Sequence, residues 1–250
     1  MGWNLFGQKK KKKSEKWNIH TMFGPNLNFA VTEAYKLLRT NLRFSFPDEG
    51  QCRVIGITSS VQGEGKSTTA CNTAFVLAEA GESVLLLEAD LRRPSIASKL
   101  GLSKGPGLSN LLVCRSDYRE TLQQCSEAPG LHVMTCGDVP PNPSELLSSN
   151  RMVQFVQQVK KEYDYIIIDL PPVTAVSDAV AVSKLLDGVV MVVRGGVAGQ
   201  QGLAEAMRQL TMVGVRILGF VFRDAERNGR KYGKRYDGYY NQNANIAAKR

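Results

Sequence analysis

No stretch of this 250-residue chain approaches the ~20 consecutive apolar residues needed to cross a bilayer. A secretory signal is missing too, because MGWNLFGQKKKKK places its basic block after its apolar residues and no long apolar segment follows. Position 6 is Phe where a myristoylation signal needs Ser or Thr. Cysteine is sparse and odd in number: Cys52, Cys71, Cys114, Cys125 and Cys136 form no CxxC pair and read as small buried residues of a reducing cytoplasm. There is no internal repeat. The body of the chain also lacks net positive charge. The net +9 sits in two ends, since residues 1–20 and 223–250 carry +5 each and the remainder carries −1. A nucleic-acid groove needs its basicity on the folded body, so no nucleic-acid partner is expected. A lysine run such as Lys9 to Lys13 suits an anionic membrane surface, at roughly 1 kcal/mol per residue, or is simply a solvated terminus.

What is present centres on residues 53–68, RVIGITSSVQGEGKST. A β-branched apolar run (Val54, Ile55, Ile57, Thr58) stops in small and glycine residues, and the helical pattern TTACNTAFVLAEA follows at once. Such a strand–loop–helix turns backbone N–H groups and the positive end of a helix dipole toward an anion. Gly63 and Gly65 allow phosphate oxygens close to the backbone, Lys66 reaches the β and γ phosphates, and Ser67 offers a hydroxyl to Mg²⁺. Gln62, Gly63, Glu64, Gly65, Lys66, Ser67 and Thr68 are therefore candidate nucleotide-binding residues. The usual P-loop pattern begins with Gly, and Ser60 replaces it here.

Two further strands end in acids. SVLLLEADLRRP carries Glu88 and Asp90 at its carboxyl end, and DYIIIDLPP carries Asp169 before two prolines. Continuous apolar runs of this kind are buried on both faces of a parallel sheet, and such sheets bind ligands at their carboxyl ends. Asp90 and Asp169, with Ser67, are the candidate metal ligands. A tyrosine hydroxyl has a pKa near ~10, so a phosphoacceptor of that type calls for a nearby carboxylate, with Glu88 the candidate. The rest alternates strand and helix: LHVMTCG, a VPPNPSELL turn opening a long helix with Ser144 as N-cap, a helix starting at Asp178, DGVVMVVRGG, a helix over 200–213, and VRILGFVFR. At 43% hydrophobic residues the chain forms one α/β domain with a doubly wound, mostly parallel sheet flanked by helices, a P-loop NTPase architecture.

The ends divide the chain into an irregular basic arm at 1–31, a domain at 32–223 that begins with a helix over 32–46, and a tail at 224–250. Thr32 is the expected N-cap of that helix, and Ala34, Leu37, Leu38 and Leu42 the stripe that docks on the body. Glu33, Lys36 and Arg39 lie off the stripe, either solvated or paired with a neighbouring subunit. In the tail, YGKRYDGYY puts four of eight tyrosines within nine residues at no helical or strand period. Stacking platforms, an adhesive low-complexity tail and phosphoacceptors all remain open for it.

Taken together, SSVQGEGKST, LLLEADLRRP, IIIDLPP, PPNPSELL and the tyrosine cluster resemble the bacterial tyrosine kinases of capsule and exopolysaccharide synthesis, over nearly the whole chain. The resemblance implies ATP- and Mg²⁺-dependent autophosphorylation of Tyr232, Tyr236, Tyr239 and Tyr240 between subunits of a ring. It also implies Lys66, Glu88, Asp90 and Asp169 as catalytic residues, and Glu33, Lys36 and Arg39 as the oligomer interface. As the split cytoplasmic type, the chain is expected at the inner face of the membrane, with a transmembrane polysaccharide co-polymerase as activator and a tyrosine phosphatase as antagonist. It departs from the family at Glu88 (usually Asp), Lys36 (usually Arg), Gln62 (often Pro) and Arg223 (often Asn, near the base). The alternatives are a non-kinase ATPase switch, which would carry lysine where this chain has Val61, and a catalytically weak scaffold of polysaccharide export.

Overall fold

The computed structural model describes residues 27–46, 50–125, 127–175 and 178–223. Lys9 to Lys13 and the four clustered tyrosines lie outside them. Seven strands form one sheet: β1 (Arg53–Ser59), β2 (Val84–Glu88), β3 (Gln123–Gln124), β4 (Leu131–Met134), β5 (Tyr165–Asp169), β6 (Gly188–Arg194) and β7 (Ile217–Arg223). Their spatial order is β3-β4-β2-β5-β1-β6-β7. Every pairing is parallel except β3 with β4.

The period-two rule is visible in β2. Val84 and Leu86 join one apolar cluster, while Leu85 and Leu87 join the other across the sheet. Both faces are therefore covered, as the continuous apolar runs require. On one face lies α2 (Lys66–Glu79), together with α1 (Phe29–Phe44) and the short α3 (Ile96–Leu100). The opposite face takes α4 (Leu108–Leu112), α5 (Pro143–Leu147), α6 (Asn150–Val159) and α8 (Gln200–Met212). A short α7 (Asp178–Ala181) precedes β6. Helix α2 is buried on nearly all sides, because the sheet covers one flank and α1 the other; this explains its Ala, Cys and Thr content.

Three local expectations change. The first helix starts at Phe29 with Asn28 as N-cap, its side chain accepting from Val31 N–H at 3.0 Å. Thr32 instead turns its hydroxyl back onto the Asn28 carbonyl. Leu42 is buried at 2% exposure, whereas Leu37 is 61% exposed and does not dock. The long helix expected after PPNPSELL is two helices: Asn142, not Ser144, occupies the N-cap position of α5 without a side-chain cap bond, and Ser149 caps α6 by accepting from Met152 N–H. Among the cysteines, Cys71 and Cys136 are buried but Cys114 is exposed.

Arg39 also turns inward. Its Nη1 donates to the Val76 carbonyl at 2.8 Å, one of the last four carbonyls of α2, which lack partners within the helix. A cation is favoured at that end of the dipole. Lys36 pairs within α1 to Glu33 at 3.0 Å.

Truncating Leu42 to Ala should lower stability by about 2–5 kcal/mol, and Leu37→Ala should stay within about 0.5 kcal/mol of the parent, as read from urea unfolding curves.

Candidate active site

The carboxyl ends of β1, β2 and β5 meet at one point in the sheet, and a cavity of about 670 Å³ opens there. The loop after β1 forms its floor. Gly63 and Gly65 adopt φ of 89° and 92°, left-handed values that favour glycine. A Cβ on Gly65 would also collide with the Arg223 guanidinium, whose Nη1 lies 3.5 Å from the Gly65 carbonyl.

Gln62, Gly63, Gly65, Lys66, Ser67, Thr68, Asp90 and Arg223 all border the cavity, as the sequence suggests. Glu64 does not. It is fully buried beneath the loop, where its carboxylate accepts from the Ser60 hydroxyl and Val61 N–H, both at 2.9 Å, and from Arg194 N–H at 3.2 Å. Its side chain braces the loop from below. The serine that replaces the first loop glycine supplies one of those bonds.

At the centre, Lys66 Nζ lies 2.7 Å from Asp90 Oδ2 and 3.4 Å from Asp169 Oδ1. The three side chains are 10%, 6% and 0% exposed. Burial alone would lower the Lys66 pKa, but the Asp169 and Asp90 carboxylates outweigh it and hold the ammonium above its usual value. Burial raises the pKa of Asp169, with Lys66 opposing. Asp169 Oδ2 has no hydrogen-bond partner among the described residues. A buried carboxylate oxygen left open beside Ser67 and Asp90 fits a hard cation or its water. Among the described residues no set of three or more acidic, Cys or His side chains converges on a metal position. Mg²⁺ does not need one, as it commonly uses one or two carboxylates and completes its shell with phosphate and water.

Glu88 departs from expectation. It is fully buried, does not border the cavity, and accepts three backbone N–H groups, from Ser95, Ile96 and Cys136. With both oxygens occupied behind the cavity wall, it is not placed to take a proton from a substrate hydroxyl.

Four cavity cations had no role in the sequence reading: Arg92, Arg93, Lys99 and Arg194. Two of them stand in the LRRP that directly follows Asp90, which was the available signal. Arg92 Nε donates to Asp178 Oδ2 at 2.7 Å, and its Nη2 to Asp178 Oδ1 and Ser144 Oγ, both at 3.2 Å. Ser144 in turn donates to Asp178, so the PPNPSELL segment helps to hold the cavity wall. Arg93 donates to the Gln62 side chain, linking that wall to the loop. Among the described residues, six cations against the single bordering carboxylate of Asp90 make a lining suited to a polyphosphate.

The sequence and the fold match those of known proteins. The ParA family model, described as NUBPL iron-transfer P-loop NTPase, matches residues 51–249. The tyrosine-protein kinase YwqD of Bacillus subtilis is 37% identical over 219 residues, covering 87% of this chain and 90% of YwqD. The chain belongs to the bacterial tyrosine-protein kinases, within the ParA-like P-loop NTPases. The tyrosine-protein kinase Etk of Escherichia coli K12 is 33% identical over 87% of this chain, which spans only 30% of Etk. Among solved structures, the kinase domain of Etk superposes with a TM-score of 0.75 at 33% identity, covering 80% of this chain and 78% of that one. The chimerical protein CapA2B2 gives 0.74 at 33%, covering 82% and 88%. Nucleotide binding follows from the fold, and no helix among the described residues is long and apolar enough to cross a membrane.

Neutralising Asp169 should separate stability from binding. A raised native pKa means that Asp169 favours the folded state while protonated and loses that contribution as pH rises. Asp169→Asn should therefore gain stability relative to the parent as pH increases from about 4 through the raised native pKa, then level off, as read from thermal unfolding. The same variant should lose Mg²⁺-dependent nucleotide binding.

Proposed function

We propose that this kinase transfers the γ-phosphoryl group of ATP to Tyr232, Tyr236, Tyr239 and Tyr240 of a neighbouring copy, and so regulates capsular or exopolysaccharide synthesis and export. The observation that carries the reading is the Lys66 ammonium held between Asp90 and Asp169 at the base of a cation-lined cavity. When ATP enters, Lys66 is positioned to exchange a carboxylate for β- and γ-phosphate oxygens. Asp90 and Asp169 are thereby freed for Mg²⁺ or its waters, with Ser67 beside them. Bound Mg²⁺ neutralises the charge that develops on the transferring group. Phosphoryl transfer through a loose transition state asks mainly for positioning, and among the described residues Asp90 is the acid that borders the cavity. The base extends past Thr68 and Arg223, which also border a groove of about 430 Å³ between α1 and β7.

The neighbouring copy docks through α1. Its outward side shows Leu37 at 61% and Phe44 at 84% exposure, beside the Glu33–Lys36 pair. Large exposed apolar side chains on one helix favour an interface over a solvated face. Arg39 supports that interface from behind, through Val76. A transmembrane polysaccharide co-polymerase acts as activator, a tyrosine phosphatase reverses the modification, and Lys9 to Lys13 hold the cytoplasmic kinase at the anionic inner face of the membrane. Each phosphotyrosine adds roughly −1.5 to −2 charge, which turns residues 223–250 from +5 to net negative once all four are modified.

Incubation with ATP and Mg²⁺, with and without the cytoplasmic segments of the co-polymerase, followed by tryptic mass spectrometry, should find phosphate on the four tyrosines. Lys66→Ala should lower incorporation by about a hundredfold or more. ATP binding without tyrosine phosphate under both conditions would favour the switch or scaffold. Leu37→Glu should shift sedimentation toward monomer and reduce phosphorylation between subunits without altering nucleotide affinity.

A further inference from the structure

Glu88 is a buried carboxylate that neither the mechanism nor the cavity lining uses. Glu88 ends β2, and its Oε1 accepts N–H from Ser95 and, at 2.7 Å, from Ile96; Oε2 accepts Cys136 N–H at 3.0 Å. Burial pushes its pKa up, and the three amides pull the other way. The chain that leaves Glu88 therefore returns to the carboxylate of the same residue seven and eight positions later. Within that closed loop lie Asp90, Arg92 and Arg93, all bordering the cavity. Its interior is tied as well: Arg93 N–H donates to Asp90 Oδ1 at 3.1 Å, and Ala89 N–H donates to the Asp169 carbonyl at 2.9 Å. Cys136 adds the end of β4, so one side chain clasps three segments.

We propose that Glu88 is a positioning residue whose carboxylate closes the 88–96 loop on itself, and thereby aims Asp90 and Arg93 at the metal–phosphate end of the nucleotide. This rests on the nucleotide reading above. Length is the decisive property. Aspartate is shorter by one carbon–carbon bond, about 1.5 Å, and from the same Cα it cannot reach all three amides. Glutamine keeps the length and one acceptor oxygen, but it turns its NH₂ toward a backbone donor. A clasp therefore ranks Glu above Gln and Gln above Asp, whereas a proton acceptor ranks Asp above Gln.

The test compares the parent with Glu88→Gln and Glu88→Asp. Calorimetric affinities would be measured for MgADP and for ADP in EDTA, with hydrogen–deuterium exchange of peptides covering 89–98 and 131–138. The expected result is a roughly tenfold loss for MgADP in Glu88→Asp, a smaller loss in Glu88→Gln, and less than twofold change for ADP in EDTA. Exchange should accelerate in both peptides in the same order. Equal losses with and without Mg²⁺ would reduce Glu88 to a general stabiliser and overturn the proposal. An active, normally exchanging Glu88→Asp beside a dead Glu88→Gln would overturn it in favour of a proton acceptor. If Glu88→Asp does not fold, Glu88→Gln decides, because unchanged exchange at both peptides overturns the clasp. Absence of MgADP binding in the parent would sink the nucleotide reading instead, while the exchange data would still report on the clasp.

Discussion

Two carboxylates and one ammonium share the carboxyl end of this sheet, and the site depends on that arrangement. Asp90 and Asp169 leave neighbouring strands into a buried position, where like charges repel and water is scarce. Lys66 is the counter-charge between them, 2.7 Å from Asp90 and 3.4 Å from Asp169. The arrangement costs stability, since the ions lose hydration and one oxygen of Asp169 has no hydrogen-bond partner among the described residues. It also readies the site, because any group that takes the place of Lys66 must be positive and hard. A buried ion cluster here is better understood as stored binding capacity than as a fold stabiliser.

Much of this was legible in the chain. Lys66, Asp90 and Asp169 follow apolar runs whose ends are fixed by parallel-sheet geometry, so their meeting needs only the topology. The glycines and the loop lysine are equally local. The direction of Glu88 was not legible. A carboxylate at a strand end faces whichever donors come within reach, and one of its donors, Cys136, is 48 residues away. Arg39 was hidden for the same reason, its acceptor lying 37 positions along the chain. Thr32 and Asn28 are both competent N-caps. Asn28 wins because Phe29, Ala30 and Val31 extend the helix by most of a turn. In 143–159 an apolar pattern runs on across a break made by Ser148 and Ser149, and hydrophobic periodicity does not register such a break.

The cavity wall shows how sequence motifs become a single object. LEADLRRP, PPNPSELL and the start of α7 are far apart in the chain, yet Arg92, Ser144 and Asp178 hold one another by hydrogen bonds. On the other side Arg93 reaches Gln62 of the phosphate loop. The wall is thus tied at both ends, and Glu64 fixes the loop from below. Preorganisation of this kind matters most where charge moves, because dipoles already in place need not reorient during the reaction.

Helix α2 has a mechanical consequence. Its 14 residues make a rod of about 21 Å, with the phosphate loop at one tip and the Arg39 guanidinium on the carbonyl at the other. A rod packed on all sides moves as a unit or not at all. In the proposed assembly, a contact on α1 would bear on the loop that would hold the nucleotide through this one rod. In that assembly, subunit contact and nucleotide would load opposite ends of the same lever.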